Sequence, residues 1–194
     1  MCAGNGLSGE ALSLTLLGFN VTALDISTVP SEEIAGSLRR PEHPVHGIPG
    51  FSIDDTNVVS YRDAGTVDPE RCPPIHQSAD HLPRGGGSLS FVTGDLVNPQ
   101  VCSGPFDVVI ERRTVQLFPP EERRLPAVQR LVARLAHRGL FVSQQHADGW
   151  RPGEPRTHYA EEWLRSQGFV VRSRSDGEFA DSAPLLASLM FSTG

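Results

Sequence analysis

Long hydrophobic runs are absent from this 194-residue chain. No apolar stretch nears the roughly 20 residues that a membrane-spanning helix needs, so no membrane partner is expected. Cysteine is scarce: Cys2, Cys72 and Cys102 are odd in number and widely spaced, which excludes a disulfide framework. No basic-then-apolar leader opens the sequence. The expected setting is therefore reducing and cytoplasmic. A surplus of positive charge is also missing, with 17 Lys and Arg against 23 Asp and Glu and a formal net charge of -6. Binding to phosphates needs such a surplus, so nucleic acid is not an expected partner. His43, His46, Cys72, His76 and His81 crowd one stretch, but their spacing fits no zinc pattern, and no metal is expected.

What is present suits one soluble α/β domain over residues 1–194, with 38% hydrophobic and 21% charged residues. Gly4-Asn5-Gly6 leads into a helix that Ser8 and Gly9 open, with Ala11, Leu12, Leu14 and Leu17 apolar and Gly18 as its stop. Phe19 to Asp25 reads as a buried strand ending in a carboxylate. Pro30-Ser31-Glu32-Glu33 predicts a helix start with Ser31 as cap, and Pro41 ends that helix. From Pro41 to Gly87 no period persists, apart from a short strand at Val58 to Tyr61. This stretch is expected to be an irregular insertion, and two readings stay open for it: a lid or acceptor element, or a surface loop.

Regular patterning then returns. Leu89 to Thr93 and Phe106 to Ile110 predict strands. Pro119-Pro120-Glu121-Glu122 starts a helix striped by Leu125, Val128, Leu131, Val132 and Leu135. Pro126 is expected to break that helix near its first turn, and Gly139 to end it. Leu140 to Ser143 is a strand, Tyr159 to Gln167 a helix, and strands begin at Phe169 and Leu185. Alternating strands and helices that end in two consecutive strands predict an open, mostly parallel sheet with an antiparallel last strand.

Several residues fall at the carboxyl ends of strands, where open α/β sheets bind ligands. The Gly4-Asn5-Gly6 backbone can approach a ligand closely ahead of a helix. Asp25 can accept hydrogen bonds from two ribose hydroxyls, and Asp95 from an exocyclic amine such as adenine N6. Glu111 and Arg112 end a buried strand on the same edge. Gly4-Asn5-Gly6-Leu7-Ser8-Gly9 with Asp25 also fits the dinucleotide fingerprint, so an NAD(P)-dependent oxidoreductase is an alternative. His146 is a candidate general base, because its unperturbed pKa lies near neutrality.

Cys2-Ala3-Gly4-Asn5-Gly6, Val21 to Ser27, Thr93-Gly94-Asp95-Leu96 and Phe106 to Glu111 together resemble class I S-adenosylmethionine-dependent methyltransferases. Phe106 to Arg123 is also similar to thiopurine methyltransferase-like enzymes. The resemblance implies a Rossmann-like sheet with helices on both faces and S-adenosylmethionine as cofactor. It implies Gly4, Asn5 and Gly6 along the amino-acid and sulfonium portion. Asp25 with Ile26 would lie at the ribose, Asp95 with Leu96 at the adenine, and Glu111 with Arg112 on the methyl-transfer side. Glu111 joins His146 as a candidate catalytic group, and the acceptor is expected to be a small molecule attacking through N, O or S. Two departures stand out. The family's first strand and its acidic end would precede Met1, so that strand is expected to be missing, and Cys2 replaces the motif's first glycine. A non-catalytic Rossmann-like remnant or scaffold subunit is therefore a second alternative.

Overall fold

The structure, a computed structural model, describes residues 1–6, 10–43, 51–55, 57–61, 86–118, 121–146, 160–178 and 184–193. In chain order its first elements are β1 (Cys2–Ala3), α1 (Glu10–Leu16), β2 (Asn20–Asp25), α2 (Val29–Leu38), β3 (Phe51–Ile53), β4 (Val59–Tyr61) and β5 (Gly87–Thr93). Then follow β6 (Phe106–Arg112), α3 (Arg124–Val132), β7 (Leu135–His146), α4 (Glu161–Ser166), β8 (Phe169–Glu178) and β9 (Pro184–Thr193). The chain divides into two compact units, Met1–Gly4 with Gly94–Gly194, and Asn5–Thr93.

In the Asn5–Thr93 unit, β2 and β5 run parallel in unbroken register from Asn20 opposite Ser88 to Asp25 opposite Thr93. Parallel neighbours need a crossover, and the chain from α2 to β4 supplies it. Val21, Ala23, Leu24, Ala35, Leu38, Val59 and Leu89 are buried and form this unit's core. Within the stretch read as an irregular insertion, the described residues include two strands. Phe51 to Tyr61 contributes the β3–β4 hairpin, and β4 adds antiparallel to β5. Strands of three residues are too short to show a period, which is why only one was legible. The second helix starts at Val29, earlier than expected, with Pro30 in its first turn, where its missing N–H costs little. Ser31 is accordingly not the cap; its hydroxyl donates to the Thr28 carbonyl at 2.7 Å.

In the other unit, β6 lies between β1 and β7 and pairs parallel with both. β9 then runs antiparallel between β7 and β8. A first strand was expected to be missing, and what the structure shows in its place is the two-residue β1. Cys2 pairs with Ile110 and Ala3 with Glu111, while the Met1 carbonyl accepts from the Ile110 N–H at 2.8 Å. Met1, Cys2 and Ala3 are all buried. Three residues carry no readable alternation, so the sequence pattern had no means of displaying this strand.

The third helix also departs from its sequence reading. Pro126 does not break it, because it is the helix's third residue and needs no intrahelical acceptor there. Ala127, Val128 and Leu131 form its buried face, against β7 and the 3-10 turn at Val115–Leu117. The helix ends at Val132, ahead of Gly139. Leu135 already pairs with Phe106, and a bulge with Arg138 at φ 62° precedes the regular pairing that starts at Val108 and Leu140. His146 is the last residue of β7 and not a residue beyond it. Among the described residues, no helix is long and apolar enough to cross a membrane.

The register of β1 is open to direct test. Ala3 is 2% exposed and sits beside Glu111. Ala3→Asp places a second carboxyl there and is expected to lower stability by about 3 kcal/mol or more in urea unfolding. Ala3→Ser is expected to cost no more than about 1–3 kcal/mol. A cost for Ala3→Asp within about 0.5 kcal/mol, as at an ordinary surface position, would show that this strand is not buried.

Candidate functional site

In the Asn5–Thr93 unit, the glycine turn and the end of β2 are tied together. The Asn5 N–H donates to the Leu24 carbonyl at 3.2 Å, and the Gly6 N–H to Asp25 Oδ2 at 2.9 Å. Asp25 Oδ1 accepts from the Ser27 N–H at 3.0 Å. Each oxygen has one protein donor, and a carboxylate has about four acceptor positions, so capacity for two hydroxyl donors remains. Gly6 stands at φ 52° with open space where a Cβ would be, so a ligand can approach its backbone closely. Ile26, next to Asp25, is 75% exposed.

In the other unit, Gly94-Asp95-Leu96 follows β5. Asp95 is exposed, and its Oδ1 accepts from the Val97 N–H at 3.0 Å. Leu96 is buried.

Glu111 is buried near the end of β6. Strand alternation puts it on the same side of β6 as Val109, which is fully buried, and Glu111 itself is 1% exposed. The register sets Ala3 on one flank and Ser143 on the other. The Ser143 hydroxyl donates to Glu111 Oε1. Oε2 accepts from the Thr114 and Val115 N–H groups at 3.2 and 3.3 Å. These are first-turn N–H groups of the Val115–Leu117 turn, which otherwise lack acceptors. Arg112, the last residue of β6, is half-buried.

Thr114, which carries no sequence signal of its own, connects this turn to the glycine motif. Its Oγ1 lies 3.1 Å from the Ala3 carbonyl, 3.4 Å from that of Gly4 and 3.2 Å from that of Arg112. One hydroxyl proton serves one of these at a time. Gly4 has φ 63°, and a Cβ there would overlap the Thr114 side chain. Gly4 is therefore required both by its backbone angle and by its neighbour.

The structure thus brings Gly6 to Asp25 and Gly4 to the turn held by Glu111. His146 lies opposite Leu185 in the β7–β9 pairing. Among the described residues, no three His, Cys, Asp or Glu side chains lie close enough to hold a metal. His46, Cys72, His76 and His81 lie outside the described residues.

No protein-family model matches the chain, and no curated protein matches its sequence. Solved structures do match its fold. A methyltransferase from Methanosarcina mazei, described as S-adenosylmethionine-dependent, superposes with a TM-score of 0.61 at 11% identity, over 99% of this chain and 90% of that one. Magnesium protoporphyrin IX methyltransferase from Synechocystis PCC 6803, solved with S-adenosylhomocysteine bound, gives 0.59 at 16% identity, over 100% of this chain and 73% of that one. The [4+2]-cyclase SpnF gives 0.55 at 14% identity, over 90% of this chain and 52% of that one. The fold is that of class I S-adenosylmethionine-dependent methyltransferases: α/β, open, mostly parallel and Rossmann-like, with an antiparallel last strand. The matches do not single out the thiopurine methyltransferase-like branch that Phe106 to Arg123 resembles.

The contact between Gly4 and Thr114 predicts non-additivity. Gly4→Ala is expected to cost about 2–3 kcal/mol, from its φ and from overlap. In a Thr114→Ala background the overlap is relieved, and the cost should fall by about 1 kcal/mol or more. Additive values in urea unfolding would show that the two side chains do not share this space.

Proposed function

We propose that this chain transfers a methyl group from S-adenosylmethionine to a small-molecule N, O or S acceptor. The observation that carries the reading is the Gly6 N–H to Asp25 hydrogen bond, a glycine turn fastened to a strand-end carboxylate within a class I methyltransferase fold. The residues fit the cofactor, since Gly6 leaves open space beside its backbone and Asp25 keeps acceptor capacity for two ribose hydroxyls. When bound, S-adenosylmethionine supplies an electrophilic methyl on sulfur.

In this reading Gly4, Asn5 and Gly6 hold the amino-acid portion, Asp25 and Ile26 the ribose, and Asp95 and Leu96 the adenine. Asp95 Oδ1 is turned to Val97, which leaves Oδ2 for the amine. Glu111 and Arg112 bound the methyl-transfer side. Engaged by Ser143 and by two N–H groups, Glu111 suits orientation of the following loop better than proton transfer. His146 is then the candidate base for a hydroxyl acceptor, while an amine or thiolate needs none. The protein's contribution is orientation, proximity and exclusion of water. A net charge of -6 favours a small neutral or cationic acceptor over nucleic acid.

A second reading, a reaction other than methyl transfer, has one observation in its favour: a [4+2]-cyclase shares the fold.

Calorimetric titration tests the first reading. The chain should bind S-adenosylhomocysteine and not NAD, and Asp25→Ala should weaken binding by about tenfold or more through loss of charged hydrogen bonds. Binding of NAD with no response to S-adenosylhomocysteine would overturn it. Cofactor binding without turnover across amine, hydroxyl and thiol acceptors would favour the second reading.

A further inference from the structure

Arg134, just past α3, is 3% exposed, and four of its N–H donors go to backbone carbonyls. Nε donates to Cys102 at 2.9 Å and Nη1 to Arg130 at 2.8 Å. Nη2 donates to Asn98 and to Val101, both at 2.9 Å. Three of these acceptors belong to the loop that follows Asp95 and Leu96. The Arg134 carbonyl in turn accepts from the Phe106 N–H at 2.8 Å, where that loop re-enters β6.

The loop transmits this grip to Asp95. The Asn98 N–H donates to the Asp95 carbonyl at 3.0 Å, so the residue that Arg134 holds by its carbonyl holds Asp95 by its N–H. The Val101 N–H donates to the Asn98 carbonyl at 3.2 Å, and the Val101 side chain packs on Gly94. Desolvation pushes the guanidinium's pKa below its ordinary value. A buried charge is costly unless it is hydrogen-bonded, and here four bonds to carbonyls offset that cost.

We infer that Arg134 is a positioning residue for adenine recognition: it holds the 98–102 loop so that Asp95 presents its carboxylate to an exocyclic amine. The inference rests on the proposed S-adenosylmethionine reading of Asp95. Arg134 itself touches no substrate. It sets how well Asp95 separates an amine from a carbonyl at the ring position it reads.

The test compares S-adenosylhomocysteine with S-inosylhomocysteine, whose ring carries a carbonyl in place of the amine. The ratio of their affinities, measured by calorimetry on the full chain, reports the placement of Asp95. Wild type should prefer the adenosyl compound by about tenfold or more, because the inosyl compound leaves the carboxylate facing a carbonyl. Arg134→Gln should shrink that ratio by roughly threefold to tenfold, and Arg134→Lys should restore part of it. General loosening would weaken both ligands alike, and an unchanged ratio in Arg134→Gln overturns the inference alone. A wild-type ratio near one overturns the adenine reading of Asp95 and the inference with it. If Arg134→Gln shows no cooperative melt, Arg134→Lys carries the comparison. If neither variant folds, Arg134 is a folding determinant, and the inference is likewise overturned.

Discussion

The register of β6 against its two parallel neighbours governs the chemistry of its unit. Strand alternation and that register place Ala3, Glu111 and Ser143 side by side, one row in from the end of the strand. A carboxyl in that row is buried and must be hydrogen-bonded. Ser143 meets one oxygen, and the chain turns back after Arg112 to bring the Thr114 and Val115 N–H groups to the other. The turn then delivers Thr114 to the carbonyls of Ala3 and Gly4. A slip of one residue would send Glu111 to the opposite face and leave the turn without its acceptor.

Two loops of this unit are ordered by opposite charges doing complementary tasks. After β6, an acidic side chain collects the N–H groups that a short helical turn leaves unmet. After β5, a guanidinium collects carbonyls from a succession of turns. In each case the side chain lies outside the loop's own tip, on a regular element or at its end, so the geometry of the loop is set from beneath. That is the arrangement expected where loops carry recognition and the scaffold carries precision.

How much of this was legible in the sequence depended on range. The strands at Asn20–Asp25, Gly87–Thr93 and Phe106–Arg112 are long enough to display their pattern, and each ends at or within two residues of one singled out for cofactor contact. The two-residue β1 and the three-residue β3 and β4 are too short to do so. The burial of Glu111 was readable in principle, since Val109 and Glu111 are two apart on one strand. Arg134, Ser143 and Thr114 had no local signal. The loop partners of Arg134 stand 32 to 36 residues away, that of Ser143 stands 32 away and Ala3 stands 111 from Thr114. The helix-to-strand boundary near Val132 was misplaced for a related reason. The apolar spacing of Leu135 suits a helix, but pairing with Phe106 claims it for the sheet.

A fold shared with a [4+2]-cyclase cannot by itself name a reaction, so the weight falls on what the site residues are prepared to do. Asp25 is the informative case. Its two oxygens are each oriented by a backbone N–H, from Gly6 and from Ser27, before any ligand arrives. A carboxylate serving only to close the turn needs one such bond. Two bonds on separate oxygens hold its plane and still leave lone pairs on both. That reduces the ordering cost of binding a vicinal diol, which a ribose presents. It places no demand on the group that reacts. Ribose recognition is common to methyl transfer and to any other chemistry that retains the nucleoside, so Asp25 argues for the cofactor's nucleoside half. Asp25 therefore says nothing of the acceptor, and Glu111, with both oxygens hydrogen-bonded within the protein, is occupied with structure.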